Sequence, residues 1–128
     1  MPYTLIAPAE QSFGWPRDQP DEYGRTVLRL REYATPAHSQ ASVWRYPPGA
    51  RGRRHRHLLQ EEVFFVARGQ FSVLVGEPLE RKHLPEGSIL FVAPMTALQL
   101  VNDGAEEGVL FIYGAPGDGA AEYLDDGA

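Results

Sequence analysis

The chain has 128 residues, 43% of them apolar, no cysteine and a formal net charge of −5. That length suits one domain able to bury a genuine core, and without cysteine there are neither disulfides nor thiolate metal sites. The acidic balance argues against a nucleic-acid partner, and the longest apolar runs, such as 63–67 and 89–95, are far too short to span a bilayer, so no membrane role is expected.

The opening MPYTLIAP has no basic start followed by a long apolar run, so it does not read as a secretory signal, and a cytoplasmic protein is expected. Residues 1–24 are rich in Pro, Glu and Asp and read as an arm that packs on the body, with Phe13 and Trp15 as anchors. From residue 25 the pattern is β. Leu28-Arg29-Leu30-Arg31 alternates apolar and charged residues, as a strand with one wet face does. Residues 41–46 give a second strand, ended by Pro47-Pro48-Gly49. Arginines crowd together at Arg51, Arg53, Arg54 and Arg56; such a cluster can contact phosphates, but a solvated strand edge is the expectation.

Segment 58–66 is the ambiguous one. Its first half suits a helix, whereas Val63-Phe64-Phe65-Val66 is dense in strand formers and ends at Gly69, so it reads as a turn followed by a strand. Strands follow at 71–75, 88–92, 97–101 and 109–113, punctuated by Gly76-Glu77-Pro78, Gly87 and Asn102-Asp103-Gly104. Roughly eight short strands with almost no helix indicate an all-β antiparallel barrel or jelly roll. The barrel is expected over 25–114. The tail, 115–128, is rich in Gly, Ala and Asp and is expected to be mobile, apart from one helical turn over 120–124.

His55-Arg56-His57 holds the chemistry. On a strand, residues i and i+2 share a face, so both imidazoles can converge while Arg54 and Arg56 point the other way. Glu62, after a short turn, can bring a carboxylate to the same point. Two imidazoles and one carboxylate suit a first-row divalent ion and leave positions for water or substrate; Mn, Fe, Co, Ni and Zn all fit such a set.

The stretch Gly49-x5-His55-x-His57-x4-Glu62-x6-Gly69 resembles the first motif of the cupins at every fixed position. The second cupin motif, G-x5-P-x-G-x2-H-x3-N, opens here at Gly87 and closes at Asn102, but its interior departs from the pattern. Ala93 holds the proline slot, Met95 the glycine slot, and Leu98 the slot of the fourth protein ligand. Parity puts Leu98, Leu100 and Asn102 on one face; Gln99 substitutes as a ligand only if the register slips by one residue. The resemblance, over about residues 28–113, implies a double-stranded β-helix, a metal held by His55, His57 and Glu62, a homodimer, and a pocket between the sheets for a small-molecule ligand or substrate. Tyr46, Phe64, Phe71, Phe91 and Leu100 are the pocket-lining candidates, with Trp44 and Tyr113 similar; plain core is their competing reading.

Three functions stay open. A facial triad with an apolar wall at Leu98 suits a dioxygenase-like enzyme, since the resemblance includes dioxygenases of small aromatic substrates. A weakened metal site suits a domain that binds a ligand without turning it over. With no metal at all, His55 or His57 can act as general base, as in epimerases that resemble cupins. His38 and His83 read as surface residues, and no nucleophile elbow, P-loop or dinucleotide fingerprint occurs.

Overall fold

The computed structural model describes residues 2–14, 20–117 and 120–127; Trp15 lies outside them. Among the described residues there are ten strands and no α-helix. They are β1 (Thr26–Arg29), β2 (Gln40–Tyr46), β3 (His55–His57), β4 (Glu61–Arg68), β5 (Phe71–Val75), β6 (Glu80–Leu84), β7 (Ile89–Val92), β8 (Leu98–Asn102), β9 (Gly108–Ala115) and β10 (Ala121–Tyr123). Two antiparallel five-stranded sheets result, in the orders β1-β2-β9-β4-β7 and β10-β3-β8-β5-β6. This is the expected jelly roll. No helix among the described residues is long and apolar enough to cross a membrane.

Side-chain alternation decides what each strand buries. On β4, Glu62, Phe64 and Val66 are buried while Glu61, Phe65 and Ala67 are exposed. Segment 58–66 is therefore a turn and a strand, as its β-branched and aromatic content predicts. The core between the sheets centres on Tyr46, Phe64, Phe71, Leu98, Leu100 and Leu110. Phe71 and Leu110 are completely buried, and truncating such an aromatic to alanine costs about 3–5 kcal/mol. The motif glycines Gly49 and Gly69 have φ of +76° and +91°, backbone that a side chain disfavours. Asn102, the last residue of β8, donates from Nδ2 to the carbonyls of Tyr46 and Glu106 at 2.9 Å each, tying the β2–β3 loop to the β8–β9 turn.

Several expectations need correction. The strand expected to run through Leu30 and Arg31 stops at Arg29 and gives way to a 3-10 turn over Leu30–Glu32. Val27 and Leu28 are both buried, because Gly14 of the N-terminal arm bridges Val27 on the outer edge. Residues 80–84, where the sequence pattern predicts no strand, form β6 although four of the five are exposed, because β5 offers five paired positions.

Among the described residues of the tail there is a strand and not a helical turn. Strand β10 pairs with β3, Ala121 opposite His57 and Tyr123 opposite His55. The arginine cluster anchors it. Arg56 pairs with Glu122 at 3.1 Å, Arg51 with Asp126 at 2.6 Å, and Arg53 stacks on Tyr123 with 3.9 Å to the ring centroid. Arg54 reaches Glu77 at 3.8 Å. Each exposed pair contributes at most about 1 kcal/mol, but together they cover an edge that would otherwise expose the unpaired backbone of β3.

The outer face of the first sheet is apolar. Register places Val63 beside both Phe91 and Tyr113, and Phe65 beside both Ile89 and Phe111. Ile89 is 73% exposed and Phe91 56%.

Candidate metal centre

The cluster sits where the two sheets meet. His55 and His57 come from β3 in one sheet, and Glu62 from β4 in the other. The turn 58–60 reverses the chain between them, and the inward parity of β4 begins at Glu62, which is 7% exposed. One ligand atom from each of the three residues lies within 4.8 Å of the other two. The imidazoles stand edge to face, with ring centroids 5.0 Å apart and an interplanar angle of 89°.

Protonation follows from the contacts. His55 Nδ1 lies 2.8 Å from the carbonyl oxygen of Arg53. A carbonyl only accepts, so Nδ1 carries the hydrogen and Nε2 is left with its lone pair. Burial is the main force pushing the His55 pKa below its ordinary value, so the neutral form that a metal requires is favoured. His57 Nε2 is 3.2 Å from Glu62 Oε1. That contact is close enough for an ion pair but not aligned as a hydrogen bond, because Oε1 is buried and accepts none; His57 Nδ1 is also buried without a partner. A buried carboxylate oxygen with no donor is costly. A cation among the three donors would satisfy it, and the donor set suits a divalent transition metal.

The second-motif alignment holds its register. Leu98 lies directly across from His55 in the β3–β8 pairing and is 1% exposed. Residues paired across a sheet share a face, so the fourth-ligand slot faces the cluster and is filled by an apolar wall. Gln99 is excluded as a substitute. It lies on the other face, donating from Nε2 to the Gly52 carbonyl at 2.9 Å and to Asp126 at 2.8 Å, and accepting from the Gly127 N–H at 3.0 Å. Met95, in the glycine slot, has φ of +67°, and its N–H donates to the His57 carbonyl at 2.7 Å.

A cavity of about 310 Å³ opens over the cluster. Among the lining candidates, Tyr46, Phe64, Leu100 and Trp44 do line it. Phe71 does not; it is plain core. Phe91 and Tyr113 project from the outer face, 56% and 45% exposed. Strand β7 is apolar on both faces, so its periodicity carries no facing signal. His38 and His83 are exposed, as expected.

Sequence reasoning missed the cavity's charged groups. Asp21, Arg25, Arg29, Arg31 and Arg53 line it together with Gln40 and Gln60. Arg25 forms a 2.7 Å ion pair with Asp21, donates to the Tyr46 hydroxyl at 3.0 Å and lies 4.3 Å from the centroid of the Trp44 ring. Asp and Arg four apart are too common in sequences to have marked this network. Burial raises the Tyr46 pKa, which keeps its hydroxyl protonated.

A family model described as the cupin domain matches residues 42–114, more than half of the chain. The chain is a cupin. Solved structures agree on the fold. KdgF from a Halomonas species superposes with a TM-score of 0.75 at 18% identity, over 91% of this cupin and 96% of that chain. A cupin described as a sugar phosphate isomerase from Silicibacter pomeroyi gives 0.77 at 19%, over 95% and 82%. An RmlC-like cupin from Shewanella frigidimarina gives 0.69 at 21%, over 86% and 87%. A search of the curated proteins finds no match. Identities this low carry the fold and not the activity.

Proposed function

We propose that this cupin holds a divalent transition metal on His55, His57 and Glu62 and acts on a small, oxygen-rich molecule in the barrel cavity. The observation that carries the reading is the convergence of three donors within 4.8 Å, one of them a buried carboxylate oxygen that accepts no hydrogen bond. When bound, the ion supplies Lewis-acid polarisation of a substrate oxygen. His55 and His57 present imidazole nitrogens, Glu62 offsets charge, and Leu98 keeps one side of the centre apolar. Tyr46 offers a protonated hydroxyl for proton transfer.

The cavity favours proton-transfer chemistry on a polar substrate over oxygenation of an aromatic one. Gln40, Ser42 and Gln60 stand among its lining residues with several charged side chains, polar groups that an oxygen-rich substrate can engage and an aromatic ring engages poorly. The neighbour described as a sugar phosphate isomerase adds support of fold only. Elemental analysis of untagged protein and solvent-deuterium exchange into small hydroxy-carbonyl compounds test this reading. Stoichiometric metal with metal-dependent exchange supports it. Oxygen uptake by the iron-loaded protein with aromatic substrates would overturn it in favour of a dioxygenase. Ligand binding without turnover under any metal would leave a binding module.

We also propose that the protein is a homodimer paired through the outer face of the first sheet. Ile89, Phe91, Phe65 and Tyr113 form a contiguous exposed apolar surface there, and patches of this kind mark association sites.

A further inference from the structure

The cavity has a second pole. Beyond the metal cluster, Arg25, Arg29, Arg31 and Arg53 line it against Asp21, Glu22 and Glu62. The Arg25–Asp21 pair at 2.7 Å neutralises itself. Arg29 also lies 3.9 Å from Glu32, so the three guanidiniums of Arg29, Arg31 and Arg53 stand against Glu22, Glu62 and, outside the lining, Glu32, in a chain whose net charge is −5. A dication on Glu62 would tip this balance to positive. These arginines are not a local run of sequence. Arg29 ends β1 and Arg31 lies in the 3-10 turn after it, whereas Arg53 enters from the loop before β3 in the opposite sheet.

Folding brings them together at an electrostatic cost. Burial first, then the like charge of Arg31, lowers the Arg29 pKa. Arg53 stacks its guanidinium on Tyr123, 3.9 Å from the ring centroid. Stacking uses the flat face and leaves the in-plane N–H groups as donors. Planar forks of this kind match carboxylate and phosphate oxygens in bidentate fashion. A cavity of about 310 Å³ stands at the small end of ligand sites, which suits a small molecule and not a polymer.

We propose that the ligand of this cavity is a small organic oxyanion, whose carboxylate or phosphate is gripped by Arg29, Arg31 and Arg53 while its other oxygens face the His55–His57–Glu62 cluster. This rests on the metal-centre reading for its second half only; the arginine pole stands on its own residues.

Calorimetric titration of manganese-loaded protein with glucuronate, glucose 6-phosphate and glucose tests it. At least one anion should bind about tenfold or more tighter than neutral glucose, and added salt should weaken it. The two anions separate a carboxylate from a phosphate preference. The double variant Arg31→Gln/Arg53→Gln, at two exposed positions, should lose about tenfold or more in anion affinity. It should keep its manganese content, and Arg68→Gln, outside the cavity, should bind like wild type. Equal binding of glucose and the anions, no binding of either anion, or full affinity in the double variant would overturn the proposal. Metal content of the same samples separates the two readings. Anion binding that depends on Arg31 and Arg53 in protein that takes up no manganese would uphold the oxyanion pole and defeat the metal centre. Full manganese uptake without anion preference would do the reverse.

Discussion

Leu98 lies directly opposite His55 across the β3–β8 ladder, so its side chain shares the face of the His55–His57–Glu62 cluster. The slot that resembles a ligand position in sequence therefore faces His55, His57 and Glu62 in space, occupied by a residue that cannot ligate. Leu98→His should add a fourth donor without moving the backbone. The lost apolar contact costs the apo protein about 1–3 kcal/mol, and metal binding should restore it through mass action. Dissociation constants for Fe(II) and Mn(II), measured where imidazoles are neutral, should fall. Unchanged affinity in a folded variant would refute the shared face.

His57 and Arg56 are neighbours on β3 that face opposite ways. His57→Ala should remove most bound metal, since two remaining protein ligands hold a labile ion poorly. Arg56→Ala disrupts only the 3.1 Å pair with Glu122 on β10 and should leave metal content unchanged. Equal loss in both variants would mean the donors are not His55, His57 and Glu62.

Met95 carries a left-handed backbone, φ +67°, in a slot where the family pattern has glycine. A side chain in that region costs about 1–2 kcal/mol, while glycine adds about 0.5–1 kcal/mol of unfolded-chain entropy. Met95 is 51% exposed, so its packing contributes little. Met95→Gly should therefore unfold at an equal or higher denaturant midpoint, and Met95→Val at a clearly lower one. A marked drop for the glycine variant would show that the Met95 side chain is a packing element.

The apolar outer face predicts self-association. Phe91→Lys with Ile89→Glu places charges on positions 56% and 73% exposed in the single chain, so the fold should survive. Sedimentation should then report a dimer for wild type and a monomer for the double variant. A wild-type monomer at micromolar concentration would refute the dimer.

Much of the centre is legible in sequence because it depends on local rules. Strand parity alone brings His55 and His57 to one face, and one short turn brings Glu62 to them; the fixed spacing from Gly49 to Gly69 records a loop, a strand, a turn and a strand in immediate succession. The same parity assigns Leu98 inward and Gln99 outward, and both assignments hold because a strand cannot slip one residue without exposing its whole buried set. The facing of Phe91 is not legible, since an apolar outer surface erases the alternation that would reveal it.

Sequence by itself determined the strand-rich barrel, the convergence of His55, His57 and Glu62, and the inward-facing leucine at position 98. Tertiary structure alone decided three things. The polar segment 80–84 becomes β6 because β5 supplies its partners. The Gly- and Asp-rich tail becomes β10 because the open edge of β3 and its arginines are waiting for it. Arg29 at the end of β1, Arg31 in the turn after it and Arg53 in the loop before β3 meet at one cavity. In each case the stabilising partner is distant along the chain, and hydrogen-bond ladders and Coulomb forces depend on distance in space, which periodicity and spacing do not encode.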